Sequence, residues 1–138
     1  MKTLEKEDVS VDTIQELLDE KFKDNEIDED NDLAIHVDGV HLYVMVDEDK
    51  SVIRFNTRWQ AADTLSENRA ARIMNVWNNS KMFSTAYFWK TDEKNIIMLD
   101  FYITFEGGIN EVNLNDSLKW FLGSTLEFND RLKDEDAI

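Results

Sequence analysis

The sequence contains no cysteine and no proline, and only four glycines among its 138 residues. Without cysteine there is no disulfide framework, zinc ribbon, thiol nucleophile or redox centre. Without proline, and with so little glycine, there is no flexible or polyproline linker, and no low-complexity tract or solenoid-spaced repeat interrupts the chain. Positive charge is scarce: 15 Lys and Arg stand against 30 Asp and Glu, for a formal net charge of −15. A surface of that sign repels phosphate backbones and anionic lipid, which argues against non-specific binding to nucleic acid or membrane. Long hydrophobic runs are also missing. The longest, residues 96–105, is broken by Asp100, well short of the ~20 apolar residues of a membrane span. The opening MKTLEKEDVS lacks the apolar core of a signal peptide. Cytoplasmic residence is the expectation.

What remains is 42% apolar and 33% charged, enough to bury one core in a single domain over residues 1–138. Thirteen of the thirty carboxylates crowd between Glu5 and Asp32. The two ends, residues 1–8 and 134–138, read as solvated tails around a folded core of residues 10–132.

Ser10 or Asp12 suits the free amides of a helix start, and Val11, Ile14, Leu18 and Phe22, with Leu17 beside them, repeat at helical spacing. Asp38-Gly39 between two alternating apolar runs signals a two-residue hairpin, in which Val37 faces Val40 and Ile35 faces Leu42. A turn at residues 47–50 returns the chain as a third strand, residues 51–59, with Val44 meeting Ile53 and Leu42 meeting Phe55. Ser66 caps a second helix whose apolar side is Ala70, Ile73, Met74 and Trp77, ending near Asn78-Asn79. A second hairpin spans residues 82–90 and 95–105, with Ile97, Leu99, Phe101, Ile103 and Phe105 alternating toward one face. Gly107-Gly108 breaks the chain, and Asn113 caps a last helix striped by Leu114, Leu118, Phe121, Leu122, Thr125, Phe128 and Leu132. The order α-β-β-β-α-β-β-α predicts an α+β fold: an antiparallel-dominated sheet with helices packed on it.

That order resembles the type III secretion chaperone-like fold, and particular residues point to one family within it. The run Glu67-Asn68-Arg69-Ala70-Ala71-Arg72-Ile73-Met74-Asn75-Val76-Trp77-Asn78 resembles the second helix of the YbjN family, closed by an Asn and a Trp-Asn pair. Met82-Phe83-Ser84-Thr85-Ala86-Tyr87 is similar to that family's strand with a small residue before an aromatic. Gly107-Gly108-Ile109, leading to Leu118, Phe121-Leu122 and Phe128, resembles its glycine turn and final apolar helix. The likeness covers residues 10–132. It implies a bacterial sensory transduction regulator with no established enzymatic activity. By analogy with secretion chaperones, which are small acidic homodimers, it also implies homodimerisation and a protein client.

Chemistry-bearing motifs are few. Asp28-Glu29-Asp30-Asn31-Asp32 invites a calcium loop, but an EF-hand needs Gly and Glu where Leu33 and Gly39 stand. A solvated acidic bend is expected instead. His36 and His41 become direct cross-strand partners about the Asp38-Gly39 turn. They are candidate metal ligands, but two imidazoles fall short of the four donors a structural site uses, with no third His or Cys to help. A solvent-side polar pair is the expectation, with no metal and no cofactor. Gly107-Gly108 lacks the Lys-Ser/Thr of a phosphate loop, and no G-x-S-x-G elbow occurs. Asp100 falls opposite Thr85, where a cross-strand hydrogen bond is expected. Arg54, Arg58, Arg69, Arg72 and Lys81, the one base-rich stretch, are expected to offset the chain's own carboxylates. No catalytic constellation emerges, and a non-enzyme is the expectation.

The second hairpin is apolar on both faces. With Phe88 against Ile97 on the core side, Phe83, Tyr87, Trp89, Ile96, Met98 and Tyr102 fall on the other, where a solvated antiparallel sheet carries polar residues. Either the second helix covers them as core, or they form a partner-binding surface for a second copy or an extended client. The sequence reading is thus a non-catalytic regulatory adaptor, chaperone-like and homodimeric, with these six residues at its interface. The alternatives are a dedicated type III secretion chaperone holding an unfolded client segment, or a small-ligand binder or enzyme with a cleft by Asp100 or the histidines.

Overall fold

The computed structural model describes residues 2–138. Its centre is a six-stranded antiparallel sheet. In chain order the strands are β2 (Asn25–Ile27), β3 (Leu33–Val37), β4 (Val40–Asp47), β5 (Val52–Gln60), β6 (Thr85–Lys90) and β7 (Asn95–Thr104), placed in space as β2-β3-β4-β5-β7-β6. Two short strands, β1 (Thr3–Leu4) and β8 (Ile109–Asn110), pair separately. The helices are α1 (Val11–Leu17), α2 (Glu67–Ser80) and α3 (Glu111–Asp134). Strand alternation splits the sheet into two faces. Leu33, Ile35, Leu42, Val44, Ile53, Phe55, Ile97 and Leu99 join buried side chains of all three helices in one core. Phe55 packs on Phe121, and Phe128 of α3 sits between Trp59 and Trp77. The helices therefore line one face and leave the other without cover. Among the described residues, no helix is long and apolar enough to cross a membrane.

The first hairpin has the expected register, with Val37 opposite Val40, Ile35 opposite Leu42 and His36 opposite His41. The next pairing is shifted by two residues: Val44 meets Phe55 and Val46 meets Ile53. Asp47 accepts the Lys50 amide at 3.0 Å, and Ser51, at φ 55°, completes the turn instead of opening the strand. An even shift keeps each side chain on its face, so the core survives the error.

Helix ends depart from the sequence reading for tertiary reasons. Ser10 is the N-cap of α1, in a reciprocal capping box with Thr13, but the helix stops at Leu17. Asn115 of α3 donates to the Leu17 carbonyl at 2.9 Å and accepts the Asp19 amide at 2.9 Å. A remote side chain thus satisfies groups that a continuing helix would use itself. Phe22 reaches the core on a separate 3-10 turn, Glu20–Phe22. At α3 the cap is Asn110, which accepts the Asn113 amide at 2.8 Å; Asn113 is inside the helix.

Neither end is a loose tail. Met1 lies outside the described residues, but Thr3–Leu4 pair with Ile109–Asn110, and Lys6 bridges Glu106 at 2.7 Å. Gly108 takes φ 83°, and a Cβ there would fall 2.5 Å from the Leu4 carbonyl oxygen. At the other end Asp136, at φ 53°, closes α3 in a Schellman motif: the Ala137 amide donates to Leu132 and the Asp136 amide to Lys133. Ala137 is buried, and its carbonyl accepts the Ala62 amide at 2.7 Å.

Candidate functional site

The sheet face away from the helices carries a chain of polar and aromatic groups. Alternation along β5 presents Arg54, Asn56 and Arg58, with Tyr43 and Met45 on β4, Met98, Asp100 and Tyr102 on β7, and Tyr87 and Trp89 on β6. Asp100 is only 5% exposed. Arg54 grips it with two bonds, Nε to Oδ1 at 3.2 Å and Nη2 to Oδ2 at 3.0 Å. Asn56 donates to Oδ1 at 2.5 Å. Arg54 Nη2 also donates to the Tyr87 hydroxyl at 2.6 Å. Arg58 donates from Nε to Asn56 Oδ1 at 2.9 Å and lies over the Tyr43 ring at 5.1 Å. The result is one connected network, Tyr87–Arg54–Asp100–Asn56–Arg58–Tyr43, spanning four strands.

Its electrostatics follow from burial and the central charge. Burial first, then the neighbouring Asp100 carboxylate, pushes the Tyr87 hydroxyl up to about 12, with Arg54 opposing. Burial by itself would lower Arg54, but the hydrogen bond and charge of Asp100 together outweigh it and hold Arg54 above its ordinary value. Both Asp100 oxygens are engaged by neighbouring side chains, so the group braces the sheet. The bond expected from Thr85 is replaced: Thr85 is opposite Asp100 in register, yet the partners come from β5.

The six residues expected to share a surface do not stay together. Trp89 and Tyr102 are 52% and 56% exposed on the open face. Tyr87 and Ile96 are half-buried beside them, and Met98 is buried though outside the helix-side core. Phe83 is a correction. It lies on the helix side, stacked on Trp120 at 5.0 Å and edge-on to Phe101 at 6.3 Å. The physical reason is that β6 starts only at Thr85, so strand alternation does not govern Phe83. Trp77, buried in α2, donates to Ser84 Oγ at 3.2 Å and holds the segment under the helix layer. Nor does α2 cover the open face; it seals the β6 edge, where Asn78 bonds Ala86.

Sequence reasoning missed Trp120, 61% exposed, which joins Phe83 and Met82, 91% exposed, at an open groove of about 710 Å3 reaching Gly123 and Glu127. The available signal was that Trp120 is a large apolar residue off the core stripe of its helix. Among the base-rich residues, Arg54 and Lys81 offset Asp100 and Glu127, and Arg69 reaches the Glu135 carbonyl. Neither Arg58 nor Arg72 makes a salt bridge among the described residues.

Possible metal donors occur in two places. The rings of His36 and His41 meet edge-on at 4.4 Å, with His36 Nε2 3.9 Å from Glu26. In the turn after β2, carboxylate oxygens of Asp28, Asp30 and Asp32 come within 4.8 Å of one another. There Asp28 Oδ1 already accepts the Asp30 and Asp32 amides at 3.0 Å. Burial first, then the charges of Asp28 and Asp30, raises Asp32 above its usual value, with the charges of Arg58 and Arg54 opposing. Leu33 is committed to the core and Gly39 to the hairpin turn, so the loop does not extend to an EF-hand ligand set.

A family model for YbjN, described as "Putative bacterial sensory transduction regulator", matches residues 10–134. Among solved structures, the crystal structure of YbjN from E. coli, described as "a putative transcription regulator", aligns with a TM-score of 0.70 at 15% identity, covering 94% of this chain and 95% of that one. At that identity the shared property is the fold. Comparison with curated proteins gave no match.

Proposed function

The chain belongs to the YbjN family, and from that membership we propose that it is a non-catalytic, cytoplasmic regulatory adaptor that acts through protein contacts and works as a homodimer. The observation carrying this reading is the uncovered face of the sheet. Trp89 and Tyr102 stand half exposed toward opposite ends of that face, and Arg58 on β5, between them in register, forms no salt bridge among the described residues, its charge acting on the Asp32 carboxylate, on a chain of net charge −15. Aromatic and Arg side chains are the types that anchor protein interfaces. The occupant proposed is an extended, acidic partner segment bearing apolar side chains, as a client segment of the secretion-chaperone kind would be. Acidic character is proposed for the segment because Arg58 presents an unbridged guanidinium on this face, with which a carboxylate can pair. A small-ligand or catalytic role at Asp100 is the weaker reading, since both carboxylate oxygens are already taken.

The test uses fluorescence anisotropy of extended peptides carrying paired aromatics, in acidic and basic versions. Acidic peptides should bind, with affinity falling as salt rises, and Arg58→Ser or Trp89→Ser should weaken them. Equal binding of basic peptides, or no peptide binding by a folded chain, would overturn the docking proposal. A small-ligand thermal-shift screen addresses the rival reading, because a tight ligand raises the melting temperature by mass action.

A further inference from the structure

We propose that Glu26, His36 and His41 form a binding site for a divalent transition ion of the zinc type, on the open face of the sheet near its β2 edge. The inference does not depend on the docking or homodimer readings.

Both histidines of the chain stand at this one place. Strand pairing makes them neighbours. The His36 amide donates to the Asp24 carbonyl at 2.8 Å, so the backbone groups of His36 turn toward β2 and away from β4. His36 and His41 are therefore a non-hydrogen-bonded pair of the β3–β4 hairpin, the kind in which facing side chains come closest. Their rings meet at 4.4 Å.

The third donor comes from β2, a strand of three residues that is too short to show a period of its own. Glu26 is opposite Ala34 on β3, and Ala34 and His36 share a face. The Glu26 carboxylate reaches diagonally to His36, with Oε1 3.9 Å from Nε2. Two donors held about 2.1 Å from a tetrahedral ion are roughly 3.4 Å apart, so this pair is already near chelating distance. His41 and Glu26 are exposed. Exposed side chains change rotamer within nanoseconds, and such a turn aims a ring nitrogen of His41 at the same point. Among the described residues, no hydrogen bond within the chain takes up either imidazole ring or the Glu26 carboxylate. The acidic turn differs, since Asp28 Oδ1 is spent on two backbone amides.

Two imidazoles and a carboxylate suit Zn2+, Ni2+ and Cu2+, whereas Mg2+ and Ca2+ take oxygen donors. Three protein donors leave a position for water. The net charge of −15 draws cations toward the surface. An ion held here joins β2, β3 and β4, and so pins an edge strand whose only strand partner is β3.

The test titrates the whole chain, without an affinity tag, with Zn2+ alone. Calorimetry reads affinity, NMR of the imidazole C–H signals reads the site, and far-UV circular dichroism checks the fold. The native chain should bind in the micromolar range and shift both imidazoles, and excess Mg2+ should not displace the ion. His36→Gln and His41→Gln should each weaken binding by about tenfold or more, and Glu26→Gln several-fold, with the fold intact. Hydrogen exchange across β2 should slow when Zn2+ is added to the native chain, and not in His36→Gln. No binding by the native chain overturns the proposal. So does binding that persists when both histidines are replaced but is lost in Asp30→Asn, which would assign the ion to the acidic turn. Unchanged affinity in Glu26→Gln overturns the three-donor site.

Discussion

Asn78, in the last turn of α2, accepts the Ala86 amide at 2.7 Å and donates to the Ala86 carbonyl at 2.8 Å. One side-chain amide thus plays the part of a neighbouring strand at the exposed edge of β6. Unpaired edges invite pairing with other chains, and proteins commonly block them. The Trp-Asn pair at the end of the second helix has two structural jobs: Trp77 fills the core and holds Ser84, while Asn78 closes the edge.

Removing that closure should cost both stability and solubility. Asn78→Ala leaves a donor and an acceptor unmatched at the edge, which should lower unfolding free energy by about 1–2 kcal/mol. Urea denaturation reads the first effect, and light scattering on warming reads the second. An unchanged midpoint with no added aggregation would show that water serves the edge equally well.

Alkaline pH should weaken the fold through Tyr87. Its hydroxyl is raised from 10.0 to about 12 in the folded state. Below the unfolded value both states keep the proton, and stability does not depend on this group. Between the two values the unfolded chain releases the proton first, so stability falls as pH rises. Urea midpoints measured across that window should decline, and Tyr87→Phe should flatten the decline. Absorbance titration should show one tyrosine ionising late.

Thr125 carries the one buried side-chain oxygen or nitrogen without a hydrogen-bond partner among the described residues. Replacing the hydroxyl by a methyl removes an unmet polar group at similar shape. Thr125→Val should raise unfolding free energy by about 1 kcal/mol. Destabilisation in thermal unfolding would mean that the hydroxyl has a partner, such as an enclosed water.

Gly108→Ala should detach the N-terminal strand. The left-handed φ and the 2.5 Å approach to Leu4 both resist a side chain, and strain of this kind costs on the order of 1–3 kcal/mol. Hydrogen exchange should accelerate at Leu4 and Glu111, whose amides lie at or next to the β1–β8 pairing. The α2 amides should stay protected, since α2 does not touch that pairing.

Much of this architecture was legible because it is written in local periodicity. Two-residue alternation marked the long strands and their core faces, helical spacing marked α2 and α3, and Asp38-Gly39 specified one hairpin with its histidine pair. Family motifs in residues 67–128 agreed with that order. The even slip between β4 and β5 shows the limit of such reasoning, because two registers satisfy one alternation and only turn geometry at Asp47 and Ser51 separates them.

The sequence by itself determined the α+β class, the strand faces and the acidic surface, since each depends on residues a few positions apart or on composition. Only tertiary structure decided where α1 stops, because Asn115 completes its end from 98 residues away. Tertiary contacts likewise set Phe83 under Trp120, anchored both termini, and gave Asp100 its partners on β5. Those outcomes depend on which groups meet across the fold, and a one-dimensional pattern carries the period of a side chain but not the identity of its neighbour.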